Sequence, residues 1–147
     1  MNPQKVDIIL VEDNPHEAML AIRSLKKHHL ANNLIHLDDG EQAMNFIFSE
    51  GDYSSNINPP SPKLILLDIN LPKINGLDIL RRVKADPRTQ KIPIVLLTSS
   101  REESDIMESY KLGANSYIVK PVDFNSFSQA IQEMGMYWLV LNEPPNL

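Results

Sequence analysis

Leu64-Ile65-Leu66-Leu67-Asp68 decides the fold. An unbroken run of four apolar residues is shorter than a helix needs, and it matches a strand covered on both faces. The run stops abruptly on a carboxylate. The same pattern occurs three more times. Ile8-Ile9-Leu10-Val11 ends in Glu12-Asp13, Ile94-Val95-Leu96-Leu97 ends in Thr98, and Tyr117-Ile118-Val119 ends in Lys120. In an open parallel sheet the C-terminal tips of the strands meet at one crevice, where ligands bind. Three carboxylates, one ammonium and one hydroxyl would therefore share one small volume.

Working outward, strands are expected at residues 6–11, 34–37, 64–69, 94–97 and 116–119, with helical patterns between them. The first helix follows Asn14-Pro15-His16-Glu17. Asn14 can cap it, Pro15 suits the first helical position, and Glu17 can reach back to the cap. Its inner face is Ala18, Ile22 and Leu25. The second spans about 41–49, with Ala43, Met44 and Ile47 inward. The third begins after Gly76, with Leu77, Leu80 and Val83 at helical spacing. The fourth covers 102–112 and is stopped by Gly113. The fifth is capped by Asp123, buries Phe124, Phe127, Ile131 and Met134, and extends through Trp138.

Five β-α units give an α/β fold, since right-handed crossovers put helices on both faces of a parallel sheet. The expected architecture is a doubly wound, five-stranded parallel sheet, (βα)5, in the flavodoxin-like order 2-1-3-4-5. Its switch point lies between the first and third strands, whose tips carry Glu12, Asp13 and Asp68. A single domain over residues 1–147 accounts for the chain. Two segments exceed a minimal design. Residues 50–63 are too long for an ordinary connection. They are either a surface loop with contacts of its own or a tolerated insertion, the second being preferred. The extension 135–147 contains Met136-Tyr137-Trp138-Leu139-Val140-Leu141, an apolar segment that needs something to cover it.

Composition narrows the function. The net charge is −5, from 14 basic and 19 acidic side chains, and no basic stripe appears, which argues against nucleic acid as a ligand. No cysteine is present, so disulfides and thiolate metal sites are excluded. No signal-peptide character and no span-length apolar stretch are visible, so a cytoplasmic location without membrane contact is expected.

Clustered carboxylates need a cation, because each like-charge pair at 4 Å costs about 4 kcal/mol at an effective dielectric of 20. Oxygen ligands favour Mg2+ over zinc. His16, His28, His29 and His36 lack a ligand arrangement and read as surface residues. Beside Mg2+, Asp68 can act as a nucleophile on phosphorus. Lys120 would neutralise the phosphoryl oxygens, and the Thr98 hydroxyl would bond to one of them. The product is an aspartyl phosphate, which adds charge and acceptor oxygens able to reposition a neighbouring loop.

At this point the chain resembles the receiver domain of bacterial response regulators over nearly its whole length. The matching residues are Glu12-Asp13, Asp68 with Leu71-Pro72 and Gly76, Thr98-Ser99, and Lys120-Pro121. Each pair alone is weak, but all four in order on a β-α repeat are specific. The resemblance implies that Asp68 is the phosphoacceptor, that Asp13 binds Mg2+ directly and Glu12 through water, and that Asn70 lends its backbone carbonyl. It also implies that Thr98 follows the phosphoryl group, that Tyr117 rotates inward behind it, and that the Lys120–Pro121 bond is cis. The insertion at 50–63, Asp68-Ile69-Asn70-Leu71-Pro72-Lys73, Leu97-Thr98-Ser99-Ser100 and Lys120-Pro121-Val122-Asp123-Phe124 look like the stand-alone cyanobacterial phytochrome-associated regulators. That narrower resemblance implies a bilin-bearing histidine kinase as partner. It also implies a homodimer through the last helix, with Phe127, Tyr137, Trp138 and Leu141 as interface candidates.

Plainer roles exist for each residue. Glu12-Asp13 could help cap the first helix, Lys120 could be a surface lysine, Thr98 could be a turn former, and Tyr117 could be core. Convergence of all of them on one crevice favours the functional reading. An aspartyl-phosphate phosphatase would carry an acid two residues after its nucleophile, where this chain has Asn70. A DNA-binding regulator would need a helix-turn-helix after the fifth helix. The remaining alternative is a pseudo-receiver that binds partners without phosphorylation.

Overall fold

Ten elements alternate in the computed structural model, which describes residues 6–30, 33–53, 61–120 and 123–143, the side chain of Phe124 excepted. They are β1 (Ile8–Val11), α1 (Pro15–Lys27), β2 (Leu34–Leu37), α2 (Gly40–Ile47), β3 (Leu64–Leu67), α3 (Gly76–Ala85), β4 (Ile94–Thr98), α4 (Glu103–Lys111), β5 (Ser116–Val119) and α5 (Phe124–Gly135). The five strands form one parallel sheet in the order β2-β1-β3-β4-β5, as expected.

Side-chain alternation along the strands divides the core into two layers. Ile9, Val11, Ile65, Leu67, Ile94 and Leu96 face Ala43, Phe46 and Ile47 of α2 and Ile79, Leu80 and Val83 of α3. Ile8, Leu10, Leu64, Leu66, Val95 and Leu97 face Ala18, Ala21 and Leu25 of α1 and Phe127, Ile131 and Met134 of α5. β1, β3 and β4 are buried throughout, which is why they are apolar at every position up to Thr98 at the tip of β4. The edge strands β2 and β5 are half-buried and tolerate His36, Ser116 and Tyr117.

Register places the chemistry. Val11 pairs with Leu67, so the next residues, Glu12 and Asp68, emerge side by side. Thr98 pairs with Val119, and the Lys120 amide donates to the Thr98 carbonyl at 2.8 Å.

Several details differ from expectation. β1 begins at Ile8 rather than residue 6, and β3 stops at Leu67 rather than 69, because Asp68 onward turns into the loop before α3. β4 runs one residue further, through Thr98, and α4 starts one later, at Glu103. In α1, Ala21 and Ser24 take the inner face, while Ile22 is half-buried. In α2, Phe46 is buried and Met44 half-buried. α4 stops before Gly113, whose φ of +107° is a left-handed geometry that favours glycine.

The start of the 50–63 segment has contacts of its own. Tyr53, in a 3-10 turn over Gly51–Tyr53, packs edge-on against Phe46 with ring centroids 5.0 Å apart. Glu50 pairs with Arg82 at 2.7 Å, and that guanidinium lies 3.9 Å above the Phe48 ring. After α5, Met136–Leu141 continue as a wider π-helical turn. Phe127 must be removed from the interface candidates: it is 4% exposed and packs with Ile131 in the chain's own core. Trp138 is half-buried against the same layer, whereas Tyr137 and Leu141 are 50% and 67% exposed. The expected cis bond at Lys120–Pro121 lies outside the described residues.

Candidate functional site

The site begins at the tips of β1 and β3. Glu12 and Asp68 are buried there and Asp13 is exposed. One ligand oxygen from each lies within 4.8 Å of the others, so all three sequence-predicted acids converge. An all-oxygen donor set this compact fits a hard divalent cation.

Lys120 enters from the tip of β5. Its buried ammonium lies 3.0 Å from Asp68 Oδ2, 3.1 Å from Glu17 Oε2, and in a shorter bond to Glu12 Oε1. An ammonium has three donors, and carboxylates take all three. Three carboxylates therefore share one ammonium, and Asp13 beside Glu12 and Asp68 adds negative charge that calls for a divalent ion. Burial, with the Asp68 charge adding to it, pushes the Glu12 carboxyl up to about 7 against the pull of Lys120. Burial acts to lower the Lys120 ammonium, but the Glu12 hydrogen bond and the Asp68 charge outweigh it and hold Lys120 above its ordinary value. Lys120 is thus firmly cationic, and a further positive charge beside Glu12 would favour its ionised form.

Two of these contacts were not legible in the sequence. Glu17 sits where a capping box would place its carboxylate on the Asn14 amide. Half of that box forms, since Asn14 Oδ1 accepts from the Glu17 amide at 3.0 Å. The other half does not: the Asn14 amide donates to Glu12 Oε2 at 3.1 Å, and the Glu17 carboxylate turns to Lys120. His36, read as a surface residue, is exposed, yet its Nε2 lies 2.8 Å from the Glu12 carbonyl oxygen. Neither contact has a local signal, because each spans from α1 or β1 to an element distant in sequence.

Around the acids, the Asn70 amide reaches Asp68 Oδ1 at 3.4 Å. Thr98 is fully buried, and its Oγ1 accepts from the Ser100 amide at 3.3 Å. The Tyr117 hydroxyl donates to the Ser100 carbonyl at 2.9 Å, and Ser100 Oγ donates to Asp105 Oδ2 at 2.6 Å. Burial raises the Tyr117 hydroxyl pKa, and the charges of Asp105 and Asp68 add to this, against the pull of the Ser100 bond. Thr98, Ser100 and Tyr117 therefore form one hydrogen-bonded link from β4 to β5, above the start of α4.

Comparison with known proteins agrees with this arrangement. The response regulator receiver domain profile matches residues 8–132. Response regulator Rcp1 of Synechocystis sp. is 40% identical over 138 residues, covering 94% of this chain and 91% of that protein. The crystal structure of the Mn(2+)-bound form of Rcp1 superposes with a TM-score of 0.87 at 35% identity, covering 96% of this chain and 99% of that one. The phosphorylated cyanobacterial phytochrome response regulator RcpA gives 0.85 at 35% identity, covering 97% and 99%. The order of the sheet, the acids at its switch point and the lysine opposite them thus have one common explanation, and the chain belongs to the response regulator receiver domain family.

Proposed function

We propose that this chain accepts a phosphoryl group from a histidine kinase on Asp68 in a Mg2+-dependent reaction, and that its α4-β5-α5 face reports the change. The observation carrying this reading is Lys120 Nζ, 3.0 Å from Asp68 Oδ2, beside an acidic cluster of cation-binding dimensions. When bound, Mg2+ supplies charge neutralisation at the phosphoryl oxygens. Asp13 and Asp68 would hold it directly, Glu12 through water and Asn70 by its backbone carbonyl.

An Asp68 carboxylate oxygen attacks phosphorus, and the bond from phosphorus to the donor imidazole nitrogen breaks. The electron pair leaves with the imidazole. Lys120 then pairs with a phosphoryl oxygen, and Thr98 moves to another. Water later cleaves the acyl phosphate, returning Asp68 and inorganic phosphate. The chain is an enzyme only toward itself, assisting this transfer and the later hydrolysis.

Movement of Thr98 would break its bond with the Ser100 amide and shift Tyr117 with the loop. To convert a 1:99 balance of two conformations into 99:1, phosphorylation must favour one by about 5.5 kcal/mol. Met107 and Tyr110, both exposed on α4, lie on the face that would change.

The kinase we assign is a bilin-binding phytochrome, supported by the likeness to RcpA. A homodimer is proposed through the exposed Met136, Tyr137, Val140 and Leu141, of which Met136, Tyr137 and Leu141 border a shallow groove of about 420 Å³ with Gln129, Gln132 and Glu133. The reading is tested by incubating the protein with acetyl phosphate and Mg2+ and measuring intact mass. One phosphoryl group on the wild type and none on Asp68→Ala is expected. Equal labelling of the variant would move the acceptor elsewhere. Sizing of a Tyr137→Ala/Leu141→Ala double variant checks the dimer, and an unchanged dimer would reject that interface.

A further inference from the structure

The Lys120 ammonium has three partners, and two of them have other duties. Glu12 and Asp68 belong to the cluster that converges for a cation, and Glu17 does not. Glu17 reaches the ammonium from the first turn of α1. Its backbone is set by Pro15 at the helix start and by the Asn14 side chain on its own amide. Its side chain is 35% exposed, whereas that of Lys120 is 5% exposed, so Glu17 closes the ammonium off on the solvent side.

This asymmetry has a mechanical consequence, which rests on the receiver reading above. A cation that draws on Glu12, and a phosphoryl group bonded to a carboxylate oxygen of Asp68, rearrange two of the three bonds holding Lys120. A lysine side chain on a four-carbon stem is flexible and would then sample many rotamers. We propose that Glu17 is the positioning residue for Lys120: its carboxylate, anchored on α1 and outside the cation cluster, keeps the ammonium aimed at Asp68 while the other two partners change. Glu17 touches no reacting atom in this role. It acts through the lysine, and the role requires a hydrogen-bond acceptor rather than a negative charge.

The acceptor requirement separates Glu17→Gln from Glu17→Ala. With acetyl phosphate at saturating Mg2+, Glu17→Ala is expected to lose about ten-fold in phosphorylation rate, the scale of a modest misplacement of a reacting-site group. Glu17→Gln should retain most of the rate, and half-saturation by Mg2+ should be unchanged in both. A second readout needs neither metal nor phosphodonor. In a 1H–15N spectrum of lysine ammonium groups, the Lys120 signal should be sharp in the wild type and in Glu17→Gln, and lost to solvent exchange in Glu17→Ala.

Wild-type rates in Glu17→Ala, or a Glu17→Gln as slow as Glu17→Ala, overturn the proposal. So does a shift in Mg2+ half-saturation in place of a rate loss, which would put Glu17 in the cation's own shell. A wild type labelled on Asp68 with an ammonium signal indifferent to Glu17 rejects this inference and leaves the receiver reading standing. An ammonium signal that depends on Glu17 in a protein that accepts no phosphoryl group does the reverse.

Discussion

A Cβ added to Gly76 would stand 2.1 Å from the backbone oxygen of Asp68. The first residue of α3 is thus pressed against the tip of β3, and the Gly76 amide donates to the Ile69 carbonyl at 2.8 Å to hold it there. The obstruction is backbone, so no side chain can swing away to make room. Gly76→Ala should destabilise the fold by about 1–3 kcal/mol, the usual scale of overpacking. Urea unfolding measures this, and the rate of phosphoryl acceptance should fall with it, because the displaced atoms belong to Asp68. A midpoint equal to wild type would mean that α3 can slide freely.

Divalent metal should stabilise the protein through the same cluster. At a Mg2+ concentration about 100 times its dissociation constant, the gain over an EDTA-treated sample is about 2.7 kcal/mol. Asp13 is the exposed member of the cluster. Asp13→Asn should therefore raise the metal-free melting temperature, by removing one like charge from the cluster, and remove most of the Mg2+-induced rise. Calorimetric scans of both proteins with and without Mg2+ decide this, and a full rise in the variant would place the cation elsewhere.

Asp39 caps α2, accepting from the Gln42 amide at 2.8 Å, with Lys73 3.5 Å away. Its burial acts to raise the carboxyl, but the Gln42 amide and the Lys73 charge outweigh this and hold it below the ordinary carboxylate range. A lowered folded value means that the contribution is present above the unfolded value and is lost as pH falls through the folded one. Asp39→Ala should cost about 1 kcal/mol at neutral pH. The gap between variant and wild type should close well below about pH 4, the ordinary Asp value. Urea titrations across that range would show a constant gap if the cap bond did not depend on the ionised form.

Ser24 on α1 is buried, and its hydroxyl has no hydrogen-bond partner among the described residues. An unpaired buried hydroxyl costs about 1–3 kcal/mol relative to a paired one, and alanine is the better helix former. Ser24→Ala should raise stability by about 1 kcal/mol without altering phosphoryl acceptance. A loss of comparable size in chemical denaturation would mean that the hydroxyl has a partner after all.

Amino-acid order by itself determined the strands, because each is a local run whose character is complete within four or five residues. The runs 8–11, 64–67 and 94–97 are apolar throughout because helices cover both faces, and their polar tips mark where the sheet opens to a ligand. Glu12, Asp13, Asp68, Thr98 and Lys120 were legible for that reason. The caps Asn14 and Asp123 were legible too, since a cap is a contact over three residues.

Only the tertiary structure decided which partners these groups take. Glu17 has the spacing of a capping residue, but its carboxylate bonds to Lys120, 103 positions away. Phe127 and Tyr137 are both aromatic residues near the C-terminus, and only the packing of α5 against α1 buries one and exposes the other. The 50–53 turn is likewise held by Phe46 and Arg82, on helices that its own residues do not specify. Periodicity reports which face of an element is apolar. Which charge or ring meets that face depends on the crossing of elements distant in sequence, and the assembled sheet sets that crossing.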